Sequence, residues 1–232
     1  MRLHIVRHAD PDYANDTITA DGHKEAQALA NRIKKSGADR LYCSTVKRAR
    51  DTMEYTKKIL GIQPVFFDWL KEVNWEDFIV GNYKCPFDLP SEKLILEPEL
   101  PDQSNWMKNP NYDAKEIFAD LEPRFKQLDS LLYDLGYKRV EHHYEERFKN
   151  EQNVYLFCHA GVGSAIIAYL LNIPLNLFWN DFWLAPTSIT TLLFAKRNGE
   201  SISPRCIQLN DTSHLYHSGL PIKPRGFKGD FQ

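Results

Sequence analysis

The chain has 232 residues, of which 43% are hydrophobic and 26% are charged, and its formal net charge is −2. This balance is typical of a globular protein and excludes a disordered one, and it gives no support to nucleic acid or a membrane surface as a partner. No apolar run approaches the roughly 20 residues of a membrane span. No signal region is recognisable, so we expect a cytoplasmic location.

The stretch of residues 3–9 predicts a short buried strand, because aliphatic residues dominate it until Arg7 and His8 end it. Ligands of open α/β sheets bind beyond the carboxyl ends of the strands. A histidine beside an arginine at such an end indicates an anionic substrate. A polar loop that contains Asn15 follows, and Thr19 is predicted to cap a helix that ends at residues 36–37.

The next part of the chain continues the alternation of strands and helices. Residues 40–43 predict a strand, Ser44 is expected to cap a helix that Gly61 ends, and residues 64–67 predict a third strand. From residue 68 to about 113 prolines interrupt every pattern, while tryptophans keep the segment apolar. We interpret a long aromatic segment of this kind as a lid or cap.

The second half of the sequence returns to regular patterns. Residues 117–132 have helical spacing, and the charged stretch that follows, up to Asn150, is also predicted to be helical. Residues 154–158 predict a strand that ends on His159 and runs into a helix. A turn at residues 198–199 predicts an antiparallel hairpin between residues 188–195 and 202–209. The chain as a whole predicts an α/β fold with a mostly parallel central sheet and helices on both faces.

Two predicted strands therefore end in histidine, and the carboxyl ends of parallel strands converge, so His8 and His159 are expected to share one pocket. Arg48, near the start of a helix, and Glu72, after the third strand, belong to the same edge. The set lacks metal-ligand spacing such as HExxH, and the four cysteines form no CxxC pair, so we expect no metal and no other cofactor. Arginines, histidines and a carboxyl group do suit phosphoryl transfer.

Four motifs in this order resemble the histidine phosphatase (phosphoglycerate mutase-like) superfamily, phosphatase branch. They are Arg7-His8-Ala9, the segment Ser44…Arg48-Ala49…Thr52, Leu70-x-Glu72, and His159-Ala160-Gly161-Val162. The resemblance implies that His8 forms a phosphohistidine, that Arg7, Arg48 and His159 bind the phosphoryl group, and that Glu72 donates a proton. Glu76 and Asp77 are rivals of Glu72, and Asn15 and Ala160 are further candidates for substrate binding.

Some positions depart from the pattern of the superfamily. Ala9 stands in place of the more usual glycine, and Glu25 stands where many relatives have glutamine. Val73 and Asn74 follow the acid, where mutases tend to carry an arginine. The departures at Ala9 and Glu25 are mild, whereas the one at Val73 and Asn74 bears on the substrate.

We expect one histidine phosphatase-like domain over residues 1–232, with a lid or cap insertion at about residues 73–113. This insertion contains no arginine and several aromatic residues, which disfavours a polyanion and favours a small organic monophosphate as the partner. Metal-independent hydrolysis of a phosphomonoester is thus the leading hypothesis. A phosphoglycerate mutase and a non-catalytic protein that binds phosphorylated ligands are the alternatives, and the oligomeric state does not follow from the sequence.

Overall fold

The computed structural model of the protein describes residues 1–75, 85–95, 101–102, 105–109, 115–196, 199 and 201–226. The strands are β1 (Arg2–Arg7), β2 (Pro11–Asp12), β3 (Thr17–Ile18), β4 (Arg40–Ser44), β5 (Val65–Phe67), β6 (Tyr137–Val140), β7 (His143–Glu146), β8 (Asn153–Cys158), β9 (Ile189–Leu193), β10 (Ser201–Ile202) and β11 (Arg205–Asp211). The helices are α1 (Ala20–Ser36), α2 (Lys47–Leu60), α3 (Ser91–Leu94), α4 (Lys115–Asp134), α5 (Ala160–Leu171), α6 (Leu175–Asp181) and α7 (Ser213–His217).

The central sheet has the strand order β11-β9-β1-β8-β4-β5. The pairs β1–β8, β8–β4 and β4–β5 are parallel, whereas β9 runs antiparallel to both β1 and β11. This confirms the prediction of a mostly parallel sheet with a late antiparallel pair. No helix in the described ranges is both long enough and apolar enough to cross a membrane.

Successive side chains of β1 and β8 point to opposite faces of the sheet, and each face is covered by helices. Ile5 and Leu156 belong to the hydrophobic cluster that includes buried residues of α4, α5 and α6. Val6 and Phe157 belong to a second cluster, which includes buried residues of α1 and α2. The prediction of helices on both faces is therefore confirmed, and the strand ends between the two layers are where a site can open.

The charged stretch after Gly136 is not helical, so that prediction is wrong. β6 and β7 pair as an antiparallel hairpin, and Glu141 lies in its turn with a φ of 51°. Tyr137 and Tyr144 are fully buried, whereas most of the residues between them are partly or fully exposed. Arg139 lies over the Tyr144 ring, 5.3 Å from its centroid, and also donates to its hydroxyl. Burial of two tyrosines outweighs the helical propensity of the charged residues.

Two boundaries also differ from the predicted ones. Ser44 does not cap α2: it ends β4, and Val46 is the residue that precedes the helix. The predicted second strand of the late hairpin, residues 202–209, is divided between two sheets. Its first residue belongs to β10, which pairs with β7, whereas β11 begins at Arg205 and pairs with β9. Asn198 of the predicted turn lies outside the described residues.

The predicted lid is described only in part. Residues 86–88 and 106–108 form single turns of 3₁₀-helix on either side of α3. Leu89, Leu94 and Trp106 are buried against the α4–α6 face of the sheet, and the backbone oxygen of Leu89 accepts a hydrogen bond from Asn180 of α6. These parts of the segment thus share the hydrophobic core of the sheet.

The loop after β1 is held by the start of α1. Thr19 caps this helix as predicted: its Oγ1 accepts a hydrogen bond of 3.0 Å from the Gly22 amide and donates one of 2.8 Å to Asp10 Oδ2. The Asp10 amide donates to Glu25 Oε2 over 2.8 Å. Asp10 and Glu25 are both buried. Two carboxyl groups therefore lie directly behind the loop that follows His8.

Gly22 gives a first prediction, because the helix approaches the loop most closely at this residue. A Cβ at position 22 would lie 2.6 Å from the Asp10 backbone oxygen and 3.1 Å from Ile18 Cβ. An alanine in a helix gains about 1 kcal/mol over glycine, but overpacking against backbone costs about 1–3 kcal/mol. We therefore expect Gly22→Ala to destabilise the protein in urea unfolding. Gly199→Ala is the control, since its Cβ would meet nothing within 4 Å; equal stability of Gly22→Ala and wild type would contradict the prediction.

Glu25 gives a second prediction. Burial, with a further contribution from the Asp10 charge, raises the pKa of Glu25 to about 7, although the hydrogen bond from the Asp10 amide opposes this rise. In the unfolded chain the carboxyl group ionises near pH 4.5. Between these two values folding takes up a proton, so the free energy of unfolding falls as the pH rises from about 4.5 to about 7 and then levels off.

Glu25→Gln should remove this pH dependence, because the amide cannot ionise and its oxygen still accepts from Asp10. Relative to wild type, the variant should gain stability across the window, by about 3 kcal/mol at most. The measurement is urea unfolding at a series of pH values. Glu122→Gln, on an exposed face of α4, controls for the loss of one charge. Parallel pH profiles of Glu25→Gln and wild type would show that Glu25 does not titrate in this way.

Candidate active site

The candidate site lies at the carboxyl ends of β1 and β8. The parallel register places Arg7 opposite Cys158, so the residues that follow, His8 and His159, meet at the edge of the sheet. Their ring centroids are 5.1 Å apart, and the ring planes make an angle of 64°. The structure thus brings together the two histidines that the sequence placed at strand ends.

His8 is buried, and both of its ring nitrogens have a partner. Nδ1 lies 2.7 Å from the backbone oxygen of Ala9, which can only accept, so Nδ1 carries a proton. Arg48 Nε donates to His8 Nε2 over 3.3 Å, which requires a lone pair on that nitrogen. Burial and the nearby Arg7 and Arg48 charges hold the pKa of His8 well below its usual value. The ring is therefore neutral, and its lone pair lies at Nε2, where it accepts from Arg48.

His159 is fully buried and precedes α5. Its Nε2 lies 2.9 Å from Ser44 Oγ, and the Val46 amide donates to the same oxygen over 3.2 Å. With its oxygen accepting from Val46, the Ser44 hydroxyl can donate to Nε2, which leaves the proton of a neutral ring on Nδ1. Within the described residues this Nδ1 has no partner. Burial and the nearby His8 lower the pKa of His159 well below its usual value.

The two arginines differ in burial. Arg7 is 3% exposed, and its Nη1 donates to the backbone oxygens of Leu184, over 2.5 Å, and Arg225, over 3.1 Å. Its buried Nε has no partner among the described residues. Arg48 is partly exposed and pairs with Asp16 over 3.1 Å. Buried donors without a partner are costly, and an anionic ligand would satisfy them.

Glu72 occupies the N-terminus of α5. Its Oε1 accepts from the amides of Val162 and Val73 over 3.0 Å each, and its Oε2 accepts from the Gly161 amide over 3.1 Å. These backbone N–H groups fix the position of the Glu72 carboxyl group at the edge of the pocket. The sequence assigned Glu72 to the pocket without predicting this cap. Its rivals Glu76 and Asp77 lie outside the described residues.

A cavity of about 430 Å³ opens in front of these groups. The residues that line it are Arg7, His8, Tyr13, Glu72, Trp75, Cys85, Phe87, Asp88, Ala160, Ser164, Trp183, Leu184, Arg225 and Gly226. Ala160 therefore lies where the sequence predicted it. Asn15 does not line the cavity: it is exposed in the turn between β2 and β3, where its amide donates to Asp12 over 2.8 Å.

Sequence reasoning missed several residues of this lining, among them Tyr13 and Trp183. Tyr13 is exposed in the turn after β2, and Arg48 lies over its ring at 5.7 Å from the centroid. The i, i+4 spacing of Trp179 and Trp183 predicts two core residues, whereas Trp183 is only partly buried and its Nε1 donates to the backbone oxygen of Arg225 over 3.1 Å. Neither Tyr13 nor Trp183 belongs to one of the four motifs, so the sequence offered no functional signal for them.

The donor set of the pocket is that of an anion site. In the part of the chain that the structure describes, no three His, Cys, Asp or Glu side chains are grouped so that they could hold a metal ion. A neutral imidazole with an available lone pair, two guanidinium groups and a carboxyl group converge instead. Such a set can attack a phosphorus atom, hold its oxygens and exchange a proton with a leaving group.

Comparison with known proteins agrees with this chemistry. A protein of Hydrogenobacter thermophilus, provisionally named phosphoserine phosphatase 2, is 25% identical over 188 residues, which cover 77% of this chain and 83% of that protein. The adenosylcobalamin/alpha-ribazole phosphatase of Salmonella typhimurium is 24% identical over 189 residues, with coverage of 78% and 84%. The crystal structure of a phosphoserine phosphatase mutant from Entamoeba histolytica in complex with phosphoserine gives a TM-score of 0.61 at 21% identity, with coverage of 92% and 98%.

The structural likeness shows a shared fold. Membership of a family is shown by the model of the histidine phosphatase superfamily (branch 1), which matches residues 3–205. The matched stretch includes both strand-end histidines, both arginines and Glu72. The chain therefore belongs to the histidine phosphatase superfamily, branch 1.

Proposed function

We propose that the protein hydrolyses small organic phosphomonoesters through a phosphohistidine on His8, without a metal ion. The observation that carries this proposal is the pairing of both His8 nitrogens. Ala9 fixes the proton on Nδ1, and the contact with Arg48 shows that Nε2 carries the lone pair, which can attack phosphorus once Arg48 turns from it to the phosphoryl oxygens. The named activities of the relatives, which are phosphatases, support the same class of reaction.

In the first step, Nε2 of His8 attacks phosphorus while the bond from phosphorus to the ester oxygen breaks. Arg7, Arg48 and the Nδ1–H group of His159 stabilise the phosphoryl oxygens, whose charge is spread over them in the transition state. Glu72 gives its proton to the ester oxygen, and the alcohol leaves. The three amides around Glu72 stabilise the carboxylate that results, which favours this transfer.

In the second step, water attacks the phosphohistidine. The water gives a proton to the Glu72 carboxylate, the bond between nitrogen and phosphorus breaks, and phosphate leaves. His8 and protonated Glu72 are then restored. Each residue thus returns to its starting state without a metal ion.

The residues that line the cavity favour, as substrate, a monophosphate with a flat organic body that is neutral or cationic. Trp75, Phe87 and Trp183 supply aromatic surface, and Asp88 adds a carboxyl group. Segment 73–113 contains no arginine, so it would serve a polyanion such as a bisphosphorylated intermediate poorly. We propose that this segment is the wall or lid against which the ester body rests, within one domain.

Trapping of the intermediate tests the nucleophile. After a brief reaction with labelled substrate and an alkaline quench, we expect label on His8, because phosphohistidine survives alkali and is lost in acid. His8→Ala should lose activity by about a thousandfold or more, since no other group can form the covalent bond. His142→Ala, at an exposed turn, is the control and should keep both label and activity. Label on another residue, or an active His8→Ala variant, would refute the mechanism.

The leaving group tests Glu72. A general acid matters most when the departing oxygen is strongly basic. We expect Glu72→Gln to slow hydrolysis of alkyl phosphates by about 100-fold or more and that of p-nitrophenyl phosphate by less than about tenfold. Steady-state rates on both substrates are the measurement. Equal losses would make Glu72 a positioning residue and would return attention to Glu76 and Asp77.

A further inference from the structure

We propose that Arg225 is a specificity-determining residue: its ion pair with Asp10 holds the C-terminal wall of the pocket, which is formed by Arg225 and Gly226, against the organic body of the substrate. This inference rests on the proposed function of the site. Residue 225 lies beyond residues 3–205, the stretch that the family model matches. The C-terminal wall therefore lies outside the stretch that the family model matches.

The side chain of Arg225 forms a two-pronged contact with Asp10. Arg225 Nε donates to Asp10 Oδ1 over 2.5 Å, and Nη2 donates to Oδ2 over 3.3 Å. The Asp10 side chain is only 3% exposed, whereas that of Arg225 is 47% exposed. A surface ion pair contributes little, but a buried carboxylate that loses its cationic partner is costly. Because Asp10 is buried, loss of Arg225 would leave an uncompensated carboxylate, so this ion pair is worth more than a surface pair.

The backbone of Arg225 makes a second set of contacts. Its carbonyl oxygen accepts from Arg7 Nη1 and from Trp183 Nε1, over 3.1 Å in each case. Arg7 is the buried arginine of the phosphoryl site, and Trp183 lines the cavity. Arg225 thus joins the loop behind His8, the phosphoryl site and an aromatic side wall.

Gly226 completes the C-terminal wall. It has a φ of 74°, a conformation that residues with a Cβ rarely adopt, and a Cβ there would lie 3.9 Å from Arg7 Nη2. The chain therefore passes close to the phosphoryl site and lines the cavity as it does so. Because the phosphoryl group is bound mainly by other residues, loss of the C-terminal wall should weaken contacts with the ester body more than contacts with phosphate itself.

The test compares naphthyl phosphate, which has a flat body, with inorganic phosphate, which has none. In Arg225→Ala we expect the KM for naphthyl phosphate to rise about tenfold, while the inhibition constant of phosphate and kcat each change less than about threefold. Arg225→Lys retains a cation and should give an intermediate KM. Lys223→Ala is the matched control, because Lys223 pairs with Asp21, on α1, and does not line the cavity.

A double-mutant cycle tests the ion pair itself. If Asp10 acts by holding Arg225, then Arg225→Ala should have little further effect on KM when Asp10→Asn is already present. Full additivity in the cycle, a KM unchanged in Arg225→Ala, or an equal rise in KM and in the phosphate inhibition constant would each overturn the inference.

A second measurement distinguishes failure of the proposed function from failure of the inference about Arg225. Binding of naphthyl phosphate can be followed by fluorescence without turnover. If the wild type binds this compound but hydrolyses no phosphomonoester, the proposed function fails, while the comparison between Arg225→Ala and Lys223→Ala still tests the C-terminal wall. If the wild type hydrolyses it and Arg225→Ala binds it equally well, only the inference about Arg225 fails.

Discussion

The parallel pairing of β1 with β8 is the constraint on which the rest of the site depends. It fixes Arg7 opposite Cys158, and the two histidines that follow can then only meet at the same edge. A shift of the register by one residue would turn the side chains of the shifted strand to the opposite face of the sheet. The hydrophobic clusters on the two faces fix this register, and the register in turn fixes the distance between the two imidazole rings.

Charge compensation is the second principle of the site. Arg7, His8 and His159 are buried at one place, and burial keeps both histidines neutral. Asp10 and Glu25 lie behind the same loop, where Arg225 compensates Asp10 and a raised pKa keeps Glu25 protonated in acidic and near-neutral solution. The pocket can therefore concentrate positive charge in front of His8 without a buried, uncompensated anion behind it.

Much of this arrangement could be predicted from the sequence, because apolar runs that end in polar residues mark strand ends, and strand ends of a parallel sheet converge. The meeting of His8 with His159 follows from that rule. Arg225 and Trp183 could not be found in this way, since their positions depend on how distant segments pack. The hairpin of β6 and β7 was not predicted, because the charged residues around Tyr137 and Tyr144 favour a helix, whereas burial of the two tyrosines stabilises the hairpin.

Glu72 places a carboxyl group of the protein itself at the first turn of α5. At many helix N-termini the same backbone amides bind free phosphate. Here a dissolved phosphate ion competes with a carboxyl group that is covalently attached and therefore present at a very high local concentration. In the proposed mechanism, phosphate released from His8 would therefore find these helix amides already occupied.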